Sequence, residues 1–224
     1  MEGRYPTGLL LSITNCTDPS KEDEFNYWYN HIHIPDGTTP GIYHHAMRFA
    51  NIDPNSTAGQ YVATYETTME DVSKAREAQR EGLAKLGDRG DRRTPLSKSI
   101  TAGIFKRLGG EFVAARRPTL GILLVLSNCV DPSKETEFSR WYEDIHIPDI
   151  LDTGIWHTAY RYESLDPQAT KAKYLGIFET DNTDLDNAMD ESWKASAVWK
   201  QEGRSFDGLD IVGSLACRRI WPMQ

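Results

Sequence analysis

The segment Glu24-Phe25-x-x-Trp28-Tyr29-x-x-Ile32-His33-Ile34-Pro35-Asp36 brings an imidazole, a carboxylate and large aromatic rings together in one short stretch. It recurs as Glu137-Phe138-x-x-Trp141-Tyr142-x-x-Ile145-His146-Ile147-Pro148-Asp149. An imidazole near neutral pH donates or accepts a proton, so His33 and His146 are candidates for general acid/base chemistry. Asp36 and Asp149, three residues further on, could orient those rings and stabilise their charged form. The same residues also suit a plainer task, in which the histidine bonds last-turn carbonyls and the aspartate forms a loop turn. Trp28 and Trp141 could wall a pocket for an aromatic ligand, although their spacing equally suits ordinary core.

A second candidate set follows in Ile42-Tyr43-His44-His45-Ala46-Met47-Arg48. Strand alternation puts His44, Ala46 and Arg48 on one face, and the other copy keeps His157, Ala159 and Arg161 there while its opposite face changes. His44 and His157 therefore join the catalytic candidates. Arg48 and Arg161 could bind a carboxylate, phenolate or enolate and stabilise developing negative charge. Alternatively, they pair with Glu66 and Glu179 on the neighbouring strand for sheet stability. Asn15 and Asn128, at the ends of their strands, could hold a substrate oxygen or form an Asx-type turn. Cys16 and Cys129 read as small buried fillers. His31-x-His33-x-x-Asp36 resembles a metal-ligand spacing, but Asp144 stands in place of His31 in the other copy, so no metal site is expected. Phosphate loops and dinucleotide fingerprints are absent.

These residues recur because the chain is written twice. Gly8 to Thr67 aligns without gaps with Gly121 to Thr180 at an offset of 113, and 30 of the 60 pairs are identical. Each copy reads as strand (Thr7 to Asn15), helix (from Asp18-Pro19, ended by Pro35), strands (Ile42 to Asn51 and Gln60 to Glu66), a helix opened by a Thr67/Glu70 capping box, and a strand (Ser99 to Leu108). The second copy gives strands near 120–128, 155–165, 173–180 and 209–219 with helices near 132–146 and 183–201. This β-α-β-β-α-β order is the ferredoxin-like motif. It predicts an α+β fold of two repeats, 1–110 and 111–224, with charged or Gly-rich connectors at Lys85 to Thr94 and Gly109 to Pro118. A four-stranded sheet with helices on one face leaves its other face bare, so the two sheets are expected to pack face to face around a ligand chamber.

Composition narrows the function classes. The chain has 224 residues, a formal net charge of −8 and 26% charged residues. An acidic protein is ill suited to holding phosphate backbones, so no nucleic-acid partner is expected. No apolar run approaches the roughly 20 residues of a membrane span, and Met1 to Pro6 lacks the layout of a secretion signal. Three cysteines fit a reducing compartment, so a cytoplasmic location is expected.

The repeated W-Y-x-x-x-H-x-P motif resembles the signature of the dimeric α/β-barrel superfamily, most closely its EthD-like branch, over both copies. The resemblance implies a pseudo-dimer within one chain, for which a monomer suffices, while exposed edge strands leave a further homodimer open. It also implies a small-molecule substrate, since the superfamily includes cofactor-free monooxygenases, isomerases, cyclases, decarboxylases and haem-binding enzymes. With His acid/base groups and Arg/Asn oxyanion partners, the expectation is a lyase or isomerase needing no cofactor and acting on a small oxygenated, aromatic or polyketide-like substrate. Haem held by a single histidine is a lesser option. A cofactor-free monooxygenase or a non-catalytic small-molecule carrier are the alternatives.

Overall fold

Alternation of buried residues builds a closed antiparallel barrel. The computed structural model describes residues 2–87, 92–109 and 115–223. Its strands are β1 (Gly8–Cys16), β2 (His45–Asn51), β3 (Tyr61–Thr67), β4 (Ser97–Arg107), β5 (Gly121–Cys129), β6 (Thr158–Ser164), β7 (Tyr174–Thr180) and β8 (Leu209–Trp221). They are ordered β1-β3-β2-β8-β5-β7-β6-β4 around the barrel. The halves join where β2 pairs with β8, with Phe49 opposite Arg219, and where β4 pairs with β6, with Phe105 opposite Ser164. Sheet edges that would otherwise expose unpaired N–H and C=O groups are satisfied in this way.

The expected pair of sheets facing each other across a chamber is therefore corrected. The two sheets form one continuous wall, and its interior is filled. Leu9, Leu11, Phe49, Phe105, Leu124 and Ile177 point inward, with Tyr160 and Tyr162 stacked at 6.3 Å. One end of the interior is polar: Glu66, 1% exposed, accepts from Arg4 Nε (2.7 Å) and Nη2 (3.0 Å), and Glu2 binds Arg219. Space for a ligand must be sought outside the barrel, beneath the helices.

Two further apolar layers lie there. One is built on Phe25, Tyr29, Tyr43, Tyr61 and Tyr65, the other on Phe138, Tyr142, Trp156, Tyr174 and Phe178. The helices that cover them are α1 (Glu22–Trp28), α2 (Ile34–Thr38), α3 (Ala75–Lys85), α4 (Glu135–Trp141), α5 (Ile147–Asp152) and, after the single turn α6 (Pro167–Thr170) that packs on β4, α7 (Leu185–Gln201). Pro35 does not end the first helix, contrary to expectation. A π-helical turn, Tyr29–His33, carries the chain into α2, and the Ile34 N–H reaches back to the Tyr29 carbonyl. Tyr142–His146 does the same before α5. The wide turn absorbs the proline, which has no N–H and whose ring would clash in a regular helix. The Thr67/Glu70 capping box is also corrected. Asp71 caps the helical segment that begins at Val72, accepting from Ser73 N at 3.1 Å, and Asp184 caps α7. The expected boundary at 110/111, with parts of both connectors, lies outside the described residues. Among the described residues no helix is long and apolar enough to cross a membrane.

Candidate functional site

The π-helical turn places His146 at the end of a helix that lies over the outer face of the barrel. Its ring stacks on Trp141 at 4.7 Å and stands edge-on to Tyr142 (4.9 Å), Phe178 (6.3 Å) and Trp199 (6.5 Å). The ring borders a cavity of about 130 Å³ between α7 and the sheet, with Tyr142, Trp156, Met189, Trp193 and Ile211 among its walls. No hydrogen bond to either ring nitrogen, or to the Tyr142 hydroxyl, is made among the described residues. Burial pulls the His146 pKa down to about 4; Asp149 opposes this and Arg161 adds to it. The ring is therefore neutral at pH 7. Burial also pushes Tyr142 up to about 12, so its hydroxyl keeps its proton. Gly176 makes room for that hydroxyl: a Cβ there would lie 2.6 Å from it.

The first half repeats the motif but not the walls. His33 stacks on Trp28 at 4.8 Å, and burial lowers its pKa as well. At the positions of Met189, Ser192, Trp193 and Trp199 the first half has Arg76, Gln79, Arg80 and Leu86. Gln79 donates to the Gly37 carbonyl at 2.7 Å, crossing the space between α3 and α2. Gly82 packs so closely on Pro40 that a Cβ would lie 2.6 Å from it. Where the second half leaves an apolar slot, the first half is bridged by polar side chains.

Other expected site residues are placed differently from their readings. His44 is exposed and precedes β2, while His157 contacts Thr158 Oγ1 (2.9 Å) and the Pro118 carbonyl (3.2 Å); neither lines the cavity. Asp36 and Asp149 do not orient the imidazoles through hydrogen bonds. They pair with Arg92 (2.8 Å) and Arg204, respectively. Trp28 and Trp141 donate their indole N–H to the carbonyls of Arg92 and Arg204, each at 2.7 Å, and act as backing for the imidazoles. Asn15 and Asn128 accept from Gln60 N and Lys173 N, each at 2.8 Å, tying the hairpin turns to the first strand of each half. Arg48 is fully buried, held by Asn30 Oδ1 (2.6 Å) and Asn26 Oδ1 (2.9 Å) over the Tyr29 ring. Arg161 lies over Tyr142 and Tyr174, each at 4.6 Å, and bonds Ser139. The suggested pairing of these arginines with Glu66 and Glu179 is excluded, because those carboxylates face the barrel interior. Tyr142, Trp156, Trp193 and Trp199 were not singled out as ligand contacts. Their arrangement depends on which side chains α7 turns toward the sheet, which the β-α-β-β-α-β order does not specify.

No family model matches the chain. A stretch of 68 residues is 38% identical to core atranone cluster protein 1 of Stachybotrys chlorohalonatus (strain IBT 40285), covering 30% of this chain. The match spans 28% of that relative's own length. Among solved structures, a mutant chlorite dismutase from Candidatus Nitrospira defluvii, in complex with cyanide, superimposes with a TM-score of 0.57 at 10% identity, covering 97% of this chain and 92% of that one. A haem-binding protein from Thermus thermophilus gives 0.55 at 5% identity, covering 97% and 95%. These likenesses establish the α+β, dimeric α/β-barrel type of fold.

The expectation of no cofactor is corrected by these neighbours, because a protein of the same fold binds haem. His146 has the character of an iron ligand, being neutral and unpartnered. The cavity around it does not suit the macrocycle. At about 130 Å³ it falls below the roughly 300 Å³ at which pockets enclose drug-sized ligands. Among the described residues no Lys or Arg lines it to meet two propionates. The residues around His146 therefore do not fit haem.

Proposed function

We propose that the second-half cavity binds a small, flat, oxygenated molecule, aromatic or polyketide-like, and that His146 moves a proton on it in a lyase or isomerase reaction. One observation carries this reading: a neutral imidazole with unpartnered nitrogens lies at an aromatic-walled cavity beside a protonated, unpartnered phenol. His146 would take a proton from carbon next to a carbonyl. The Tyr142 hydroxyl would donate to the oxygen as negative charge develops there, and the imidazolium would return the proton elsewhere on the substrate. Isomerisation, dehydration, cyclisation and decarboxylation all share that first polarisation.

We also read residues 1–110 and 111–224 as duplicated repeats of an EthD-like unit, fused into a pseudo-dimer. The 30 identical pairs and the common order of elements support this. On that reading the first copy has become structural while the second keeps the chemistry.

The test uses 2-tetralone, a two-ring ketone with acidic protons beside its carbonyl, in deuterated buffer. Wild type and His33→Gln should accelerate deuterium uptake, seen by proton NMR, and His146→Gln should lose it. Exchange that survives His146→Gln contradicts the assignment. Stoichiometric uptake of haemin with a Soret shift that His146→Gln abolishes would replace acid/base chemistry with haem chemistry.

A further inference from the structure

Arg204 stands where α7 hands over to β8, and three separate groups of this one residue are engaged. Its backbone N–H donates to the Trp199 carbonyl at 2.9 Å, close to the end of α7. Its own carbonyl accepts the Trp141 indole N–H at 2.7 Å. Its guanidinium grips both carboxylate oxygens of Asp149, through Nε at 2.9 Å and through Nη2. Gly203, with φ of +71°, permits the reversal that brings these groups together. Asp149 is buried and Arg204 is half-exposed, so the two-point guanidinium contact caps the carboxylate from the solvent side.

The residues tied together are the ones that frame the imidazole. Trp141 and Asp149 lie on either side of His146 in the chain. Trp199 stands edge-on to His146 and borders both the cavity and an outer pocket that Asp149, Thr153 and Arg204 help to line. The first half has a twin: Arg92 pairs with Asp36 and accepts from the Trp28 indole. There, however, Leu86 stands at the position of Trp199.

We propose that Arg204 is a positioning residue. By fixing the end of α7 it sets Trp199 against His146, and so sets the width of the slot that receives the ligand's ring. Arg92 makes the corresponding ties for folding alone. The inference rests on reading the second-half cavity as the ligand site.

The experiment compares Arg204→Ala, Arg204→Lys and Arg92→Ala in the full chain labelled with 5-fluorotryptophan. The Trp199 fluorine resonance is assigned with Trp199→Phe, and 2-naphthol serves as the fluorescent probe for binding. Arg204→Ala and Arg92→Ala should lower Tm alike. Only Arg204→Ala should displace the Trp199 resonance and weaken 2-naphthol about tenfold, and Arg204→Lys, which keeps a cation for Asp149, should recover part of both. The proposal is overturned if Arg204→Ala leaves resonance and Kd unchanged, or if Arg92→Ala alters them equally. Should Arg204→Ala fail to fold, Asp149→Asn and Arg204→Lys make the same comparison. If 2-naphthol does not bind wild type, the ligand-site reading fails, and the Trp199 resonance still decides the positioning claim.

Discussion

His33 and His146 share a motif and a stacking tryptophan, and among the described residues it is His146 that borders an apolar slot. The motif was legible in the sequence; its unequal use was not, because Trp199, Met189 and Gln79 come from segments that fold onto it from afar. The pH behaviour of His146 follows from its burial. Its folded pKa of about 4 lies below the ordinary 6.5. Above pH 6.5 both folded and unfolded chains hold it neutral. As pH falls from 6.5 toward 4 the unfolded chain gains a proton that the folded chain refuses, so stability drops across that window. His146→Phe should therefore show a smaller loss of Tm between pH 7 and pH 4.5 than wild type, by differential scanning calorimetry. An equal loss in both would mean that the ring is not desolvated.

At the scale of elements, the π-helical turns explain why a proline sits inside a helix and why the imidazole emerges beneath α7. The succession of strands and helices along the chain, including both long helices, was readable from periodicity and turn residues. The continuation past Pro35 was not, since it depends on a change of hydrogen-bond register that residue types do not encode. Strand β7 passes directly beneath Tyr142, where Gly176 leaves no side chain in the way. Gly176→Ala should force that phenol aside, costing roughly 1–3 kcal/mol of stability in urea denaturation and weakening 2-naphthol binding in parallel. Loss of stability with unchanged binding would remove the Tyr142 hydroxyl from the site.

For the whole molecule, the lesson lies in barrel closure. Bare sheet faces were a sound inference from β-α-β-β-α-β order, but the pairing of β2 with β8 and β4 with β6 turned two facing sheets into one wall. Filling the interior with Leu, Phe and Tyr moved the ligand space outward, under the helices. One consequence concerns the barrel's polar end, where Arg4 from the N-terminal arm neutralises the buried Glu66. Arg4→Ala should cost about 3 kcal/mol by urea denaturation, most of which Glu66→Gln should cancel in the double variant. An additive double variant would mean that the pair is not coupled.

A crystal structure of the protein soaked with 2-naphthol bears most directly on the claim that the second half alone carries the site. The ring should lie between Trp199 and the sheet, with its hydroxyl within hydrogen-bond reach of His146 or Tyr142 and no counterpart beside His33. Electron density for the ring beside His33, or within the barrel, with the His146 cavity empty, would contradict it.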